Sequence, residues 1–416
     1  MIRSFGVVAC LCAASLVTAT ETINEQFKIV PQDLERLDAF GAAVALDGNL
    51  AAIIDPLSDT VGPFEGTAYL YDATTGERLR RFVPDAPGIL SQFNVAMDAG
   101  RVLVGGGERI GDEFNRYVWV FDVATGDQIR RLSADAIPPI AFGGPLALSG
   151  DIALIGASSD EQLGRGVGAA YLFDLATDSL PIRLTPPGAT TFDRFGSAVA
   201  IDGDLALVGA PGTDLSSPDS GAAYLIDAAT GDALRPLVPD DPTEADRFGT
   251  SVALLGDLAL VGAPGDDDGV LNSGAVYVFD TATGDQLMKL KSSDNGRRDQ
   301  FGTSLTANGQ FLLASTNRDD PNRRIADFAY LFDLRTGREL QKLAASDGRF
   351  GDRFGQRSLA LDGRIAMIGA RDDTTRVERA GSVYVFRVVP EPGSVALAWA
   401  ACCWASVGPL FGRVRP

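Results

Sequence analysis

Phenylalanine followed by glycine, or a close variant of that pair, returns seven times along the chain: Phe40-Gly41, Phe93-Asn94, Phe142-Gly143, Phe195-Gly196, Phe248-Gly249, Phe301-Gly302 and Phe354-Gly355. The steps between them are 53, 49, 53, 53, 53 and 53 residues. A period near 50 marks an array whose units cannot bury their apolar faces alone and stack them on neighbours. Fold, size and class follow from this spacing, but a ligand does not.

One repeat shows the local chemistry. After Phe195 the apolar runs 197–201 and 205–208 flank Asp202-Gly203-Asp204, a hairpin signal. The runs 222–226 and 233–238 form a second hairpin around Asp227-Ala228-Ala229-Thr230-Gly231. Each repeat therefore supplies four antiparallel strands and no helical pattern. Seven such sheets predict an all-β, seven-bladed β-propeller, within the range of about 4–8 blades that propellers use.

The third strand checks the register. Three residues before each turn aspartate stands an aromatic residue: Tyr69, Trp119, Tyr171, Tyr224, Tyr277 and Tyr330 precede Asp72, Asp122, Asp174, Asp227, Asp280 and Asp333. In the seventh repeat Tyr384 precedes Arg387, and no fourth strand follows. The missing strand is expected at the other end of the chain, where Gln26-Phe27-Lys28-Ile29-Val30-Pro31 is similar to Arg80-Arg81-Phe82-Val83-Pro84. Residues 25–31 would then close the ring as the outer strand of the last blade and remove an exposed edge.

Both ends read as addresses. Arg3, the apolar run 5–17 and Val17-Thr18-Ala19 predict a signal peptide over 1–19. Residues 390–416 carry Pro390-Glu391-Pro392, an apolar stretch 394–411 expected to form a hydrophobic transmembrane helix, and then Arg413 and Arg415. This ordered ending resembles the PEP-CTERM sorting signal of Gram-negative bacteria. The resemblance implies export, inner-membrane anchoring, and processing of the tail by an exosortase-type enzyme in cells that secrete exopolysaccharide. An ordinary tail anchor is the alternative. Cys10, Cys12, Cys402 and Cys403, the four cysteines of the chain, all fall in these two segments, so the domain over 25–389 carries neither thiol nor disulfide.

The net charge is −19, and the terminal segments hold Arg3, Arg413 and Arg415 against Glu391, so the remainder is more acidic still. Such a chain lacks the basic footprint that nucleic acid requires. The plain meaning of the charge is solubility, with affinity for cations or a basic partner as the alternative.

Phe-Gly at the head of each unit and Gly-Ala-Pro after its second strand, as in Gly209-Ala210-Pro211 and Gly262-Ala263-Pro264, resemble the FG-GAP repeats of the integrin α-subunit propeller and its bacterial relatives. The likeness covers roughly 25–389. Elsewhere the second motif is worn to Ile54-Asp55-Pro56, Gly105-Gly106-Gly107, Gly156-Ala157-Ser158, Ala314-Ser315-Thr316 and Gly369-Ala370-Arg371. The resemblance implies structural roles for the phenylalanines and glycines. Calcium-binding members carry an Asp-rich loop between the first two strands. Here that connection is a tight turn such as Asp47-Gly48-Asn49, so those sites do not carry over.

Acidic clusters do occur between strands two and three, at Asp319-Asp320, at Asp372-Asp373 and most densely at Asp266-Asp267-Asp268-Gly269. Adjacent carboxylates alternate in direction along an extended chain and make a poor cage. A solvated loop is expected there, and Asp266, Asp267 and Asp268 are weak metal candidates for Ca²⁺, with no other cofactor expected. Alternation of strands puts these loops on one face of the disc together with connectors such as 239–246. Binding is expected on that face of long loops.

The chain has no histidine, which removes Ser-His-Asp, Cys-His and His-ligated metal catalysis. Nucleotide and nucleophile-elbow motifs are absent as well. The leading expectation is a monomeric, non-catalytic binding or adhesion module at the cell surface or in the matrix, with extracellular polysaccharide or a cell-surface protein as partner. A structural matrix component without a discrete ligand, and a glycoside hydrolase using a carboxylate pair, are the alternatives.

Overall fold

The structure is a computed structural model that describes residues 25–31, 37–58, 66–84, 94–110, 113–134, 142–318, 326–374 and 378–387. These residues hold 28 strands in seven four-stranded antiparallel sheets, and no helix occurs among them. The sheets are blades 1 to 6, over 44–82, 95–132, 146–184, 198–237, 251–290 and 304–343, and blade 7, over 354–387 together with 25–29. The chain is a seven-bladed β-propeller.

Blade 4 shows why the sequence folds this way. Its strands, from the axis outward, are Ala198–Asp202, Leu205–Ala210, Ala222–Asp227 and Ala233–Leu237. The two middle strands are apolar on both faces because each face meets a neighbouring blade, while the outer strand at the rim is largely exposed and buries only Leu237. The turn aspartate shapes the outer hairpin: Asp227 Oδ1 accepts the amides of Ala229 at 2.9 Å and Thr230 at 2.8 Å. These amide donors, that of Thr230 foremost, hold its carboxyl below the usual carboxylate range. Arg387 makes sense in the same frame, since blade 7 has no outer turn to build.

The motif glycines form the joint between blades. A Cβ on Gly209 would stand 2.0 Å from the carbonyl oxygen of Gly249, so the glycine ending the second strand of blade 4 leaves room for the Phe-Gly turn of blade 5. Gly262 stands in the same relation to Gly302, and Gly369 of blade 7 to Gly41 of blade 1. The ring therefore closes through the joint it uses internally. Beside that joint the motif phenylalanine fills the space between blades. Phe248 is fully buried, in edge-on contact with Tyr277 at 5.5 Å and Phe279 at 5.7 Å, in a cluster that includes Leu225 and Leu237 of blade 4. A fully buried Phe contributes about 1.5–3 kcal/mol, and the position is equally buried at Phe40, Phe142, Phe195 and Phe301.

The closing strand is where the sequence puts it. Glu25–Ile29 pairs antiparallel with Ser382–Arg387, aligning Phe27 with Val385, Lys28 with Tyr384 and Ile29 with Val383. A bulge separates Glu25 from Phe27.

Two blades depart from the expected repeat. In blade 2 the connection expected after the worn Gly105-Gly106-Gly107 is instead a ladder: Arg101–Ile110 and Glu113–Asp122 run ten residues each, with those glycines inside it. The second strands of blades 3, 4, 5 and 7 stop after six residues, with or without a following proline. In blade 7 an insertion follows Phe354, beyond the last of the even steps. Pairing jumps between Phe354 and Leu359, and Arg357 in the bulge has a φ of 62°. Phe93, the segment 1–19, Asp319-Asp320, and Pro390, Glu391 and Pro392 with the rest of 390–416 lie outside the described residues.

Candidate functional site

The two faces of the disc differ in what they leave available. On one face stand the short turns, tied to one another around the ring. Gly150 N–H donates to Asp98 Oδ2 at 2.6 Å, Gly256 N–H to Asp202 at 2.8 Å, and Gly48 N–H to Asp362 at 2.5 Å, each bond joining consecutive blades. At the axis the innermost strands enclose a cavity of about 250 Å³ lined by apolar side chains such as Ala45, Met97, Leu148, Ala200 and Leu254. A larger cavity, about 550 Å³, opens on the short-turn face between blades 7 and 1, beside Phe27, Thr74, Asp362 and Arg364. It is the gap left where blade 7 lacks an outer turn.

The other face is made of the loops between strands two and three and the connectors between blades. These are zipped together. Ala245, Arg247 and Phe248 donate their amides to the carbonyls of Pro218, Asp219 and Ser220 at 3.0, 3.1 and 2.9 Å, fixing the connector before blade 5 to the preceding loop of blade 4. Ala245 and Arg247 take left-handed φ values of 65° and 55° to do so. Between them Asp246 is buried and accepts the amide and hydroxyl of Thr243, both at 2.6 Å. Burial pushes its carboxyl up, against the pull of those two bonds. Asp193, Asp299 and Asp352 hold the same position before Phe195, Phe301 and Phe354, and each accepts an amide three residues upstream. An aspartate two residues ahead of the motif phenylalanine was a readable signal that the repeat analysis passed over.

Beneath this face lies a second feature that the sequence reading missed. The third-strand aromatic is a buried donor set against a carboxylate in the long loop and a cation on the outer strand. Tyr277 Oη donates to Asp266 at 2.6 Å and lies 3.1 Å from Asp241, while Lys289 Nζ meets Asp266 at 2.8 Å and Asp241 at 2.6 Å. In blade 3 Tyr171 donates to Asp160 at 2.8 Å, and Arg183 binds the same carboxylate at 2.7 Å. In blade 7 Tyr384 faces Asp347 at 2.6 Å and Asp373 at 3.0 Å, with Lys28 of the closing strand 2.5 Å from Asp373. Burial first, then the Asp160 carboxylate, pushes the Tyr171 hydroxyl up to about 12. Burial lowers the proton affinity of Lys289, but Asp241 and Asp266 outweigh it and hold the ammonium above its ordinary range. The Tyr171 phenol and the Lys289 ammonium thus both keep their protons.

The acidic clusters are thereby accounted for differently from a solvated loop. Asp266, Asp372 and Asp373 are buried and bound by cations. Asp267 is exposed and accepts the amide of Asn272 at 2.6 Å, and Asp268, half-exposed, is paired with Lys291 and lies 3.5 Å from Lys289. Asp266 and Asp268 thus share the Lys289 ammonium while Asp267 turns to the Asn272 amide, and ammonium groups stand beside the carboxylates that a calcium ion would need as oxygen ligands. Among the described residues no group of three or more His, Cys, Asp or Glu side chains has the arrangement to hold a metal.

Large apolar side chains stand exposed on this face. Leu163, Leu215 and Leu271, in the long loops of blades 3, 4 and 5, are 56%, 55% and 41% exposed, and Phe192 and Phe350 in the connectors about half. Of the other exposed apolar residues, Leu79, Ile129, Leu234 and Leu287 belong to the outer strands at the rim, Leu37 to the connector before blade 1, and Leu180, 76% exposed, to the outer turn of blade 3 on the short-turn face.

Residues 23–71, 181–226, 235–279 and 338–386 match the family model of the FG-GAP repeat. Each match begins on the outer strand of one blade and ends on the third strand of the next, so the sequence unit is offset by one strand from the structural blade. That offset is why the spare outer strand lies at the N-terminal end. A search of the curated proteins gave no match. Four segments of the chain thus match the FG-GAP repeat, and the described residues fold as a seven-bladed propeller.

Proposed function

We propose that this chain is an exported, non-catalytic binding or adhesion module whose long-loop face meets a polymer or protein at the cell surface or in the extracellular matrix. The observation that carries the reading is the contrast of faces: one consists of short turns bonded to one another with a cleft between blades 7 and 1, and the other presents Leu163, Leu215, Leu271, Phe192 and Phe350 on zipped loops. Preorganised loops lower the ordering cost of binding. In blade 7 the Glu25–Phe386 pair stands at the short-turn edge, opposite the long loops. The reading takes 1–19 as signal peptide and 390–416 as a sorting segment processed by an exosortase-type enzyme.

The test is retention of the full chain on the extracellular polysaccharide of the producing cells and on intact neighbouring cells, with and without chelator, with sugar release assayed alongside. Saturable retention without sugar release is expected, lost in a Leu163→Asp/Leu215→Asp/Leu271→Asp variant and kept in a Leu79→Asp/Leu234→Asp rim variant. Release of reducing sugar would establish a hydrolase instead, and equal behaviour of the two variants would remove the long-loop face from the reading.

A further inference from the structure

Blade 7 differs from its neighbours in a way that concentrates positive charge. Arg371 stands where blades 4 and 5 carry Pro211 and Pro264 at the end of the second strand. The inserted residue in its first strand is Arg357, exposed and held at a φ of 62°, a conformation that costs a non-glycine residue energy and is retained where the surroundings or a function demand it. Arg353 ends the connector before Phe354, and Arg379 lies just ahead of the third strand, Ser382–Arg387. All four positions fall at the long-loop end of their strands.

We propose that Arg353, Arg357, Arg371 and Arg379 form a binding site for the carboxylate or sulfate groups of an acidic polysaccharide. The proposal rests on the long-loop reading above and names the ligand chemistry for one sector of that face. Among the strongest charged neighbours of Arg371, three are cations, Arg353, Arg357 and Arg379, and one is an anion, Asp372. Asp372 is already engaged: Arg353 Nε lies 2.8 Å from one oxygen, and Arg379 donates to the other from Nε at 3.1 Å and Nη2 at 3.0 Å. Asp373 is committed to Lys28, Ser382 and Tyr384, and Asp352 accepts the Arg349 amide at 2.6 Å. Burial foremost, and then Arg353, Arg357 and Arg379 against the opposing pull of Asp372, lower the proton affinity of Arg371.

Guanidinium groups match planar oxyanions with two parallel hydrogen bonds, which suits carboxylate and sulfate. Phe350, half-exposed three residues before Arg353, offers an apolar surface for the C–H face of a sugar ring. At a net charge of −19 the rest of the molecule repels a polyanion, so retention on one reports a local cationic site rather than general stickiness.

The experiment passes the full chain over immobilised polygalacturonate, dextran sulfate, uncharged dextran and poly-glutamate, and compares it with Arg357→Gly, Arg371→Gln and the double variant. Thermal melting checks that each variant is folded. Arg357→Gly suits the left-handed position and is expected to melt at or above the wild-type temperature. The expected result is retention of the wild type on both anionic polysaccharides and not on dextran, with the folded double variant weakened by about tenfold or more. No retention on either anionic polysaccharide, equal retention of the double variant, or stronger retention on poly-glutamate than on both would overturn the proposal. Retention on the producing cells' own polymer that ignores the arginines but is lost in the leucine variant would remove this site and leave the long-loop reading standing. Loss of all polymer and cell binding would remove both.

Discussion

Gly203 and Gly209 sit six residues apart in one blade, yet they are glycine for different reasons. Gly203 has a φ of 55° and open space around its missing Cβ, whereas Gly209 has the Gly249 carbonyl 2.0 Å from it. Gly203→Ala should cost about 1 kcal/mol of backbone strain and leave the ring intact. Gly209→Ala must push two blades apart and is expected to cost about 3 kcal/mol or more, seen as a much lower melting temperature in calorimetry. Asp327 gives a pH prediction at the same scale. It accepts the Arg318 amide at 2.8 Å and Gln356 Nε2 at 3.2 Å, but burial dominates and pushes its carboxyl up to about 6. A raised folded-state value favours the protonated form, so its contribution is present below the ordinary value near 4 and is lost as pH rises through 6. Relative to Asp327→Asn, the wild type should lose about 2–3 kcal/mol between pH 4 and 7, read from paired denaturation curves at the two pH values.

Within a blade, the tyrosine, carboxylate and cation under the long loops behave as one unit. The Lys289 and Asp266 side chains are 16% and 3% exposed, so removing the lysine strands a buried charge rather than a surface one. Lys289→Met should cost about 3–5 kcal/mol. Tyr277→Phe, which removes one donor and leaves the ammonium in place, should cost about 1–3 kcal/mol, and urea denaturation of the two variants checks the order. The column of aromatic residues from Tyr69 to Tyr384 was legible in the sequence because it keeps a fixed distance from the turn aspartate. Its partner was not, because Asp266 lies eleven positions upstream across a loop and meets the hydroxyl only after the strands have aligned. The same limit hid the blade 2 ladder and the blade 7 insertion. Spacing between motifs records length, and a ladder, a loop and a bulge can have equal length. The arginines of blade 7 were in plain view as residue types, but only the bulge at Arg357 and the end of the strand before Arg371 bring them to one sector.

At the scale of the whole molecule, what was legible is the ring itself: the count of blades, their four strands and the use of 25–31 to close the last one. These follow from repetition, which averages away the local ambiguity of any one strand. The closing strand carries the corresponding prediction. Removing residues 1–31 would expose the outer edge of Ser382–Arg387 and leave Asp373 without Lys28, so the truncated chain should self-associate in light scattering, and a peptide of residues 25–31 should return it to monomer. The seam at that strand has a further consequence. Glu25 is paired with Phe386 much as Ala233 is paired with Ile226, except that residues 227–232 join the latter two and no covalent link joins the former. In its packing the ring has no first blade. A circularly permuted chain, linked from Arg387 to Glu25 by a copy of the Asp-Ala-Ala-Thr-Gly-Asp turn and opened instead at a connector between blades, would have the same joints in the same order, with its new ends on the opposite face of the disc.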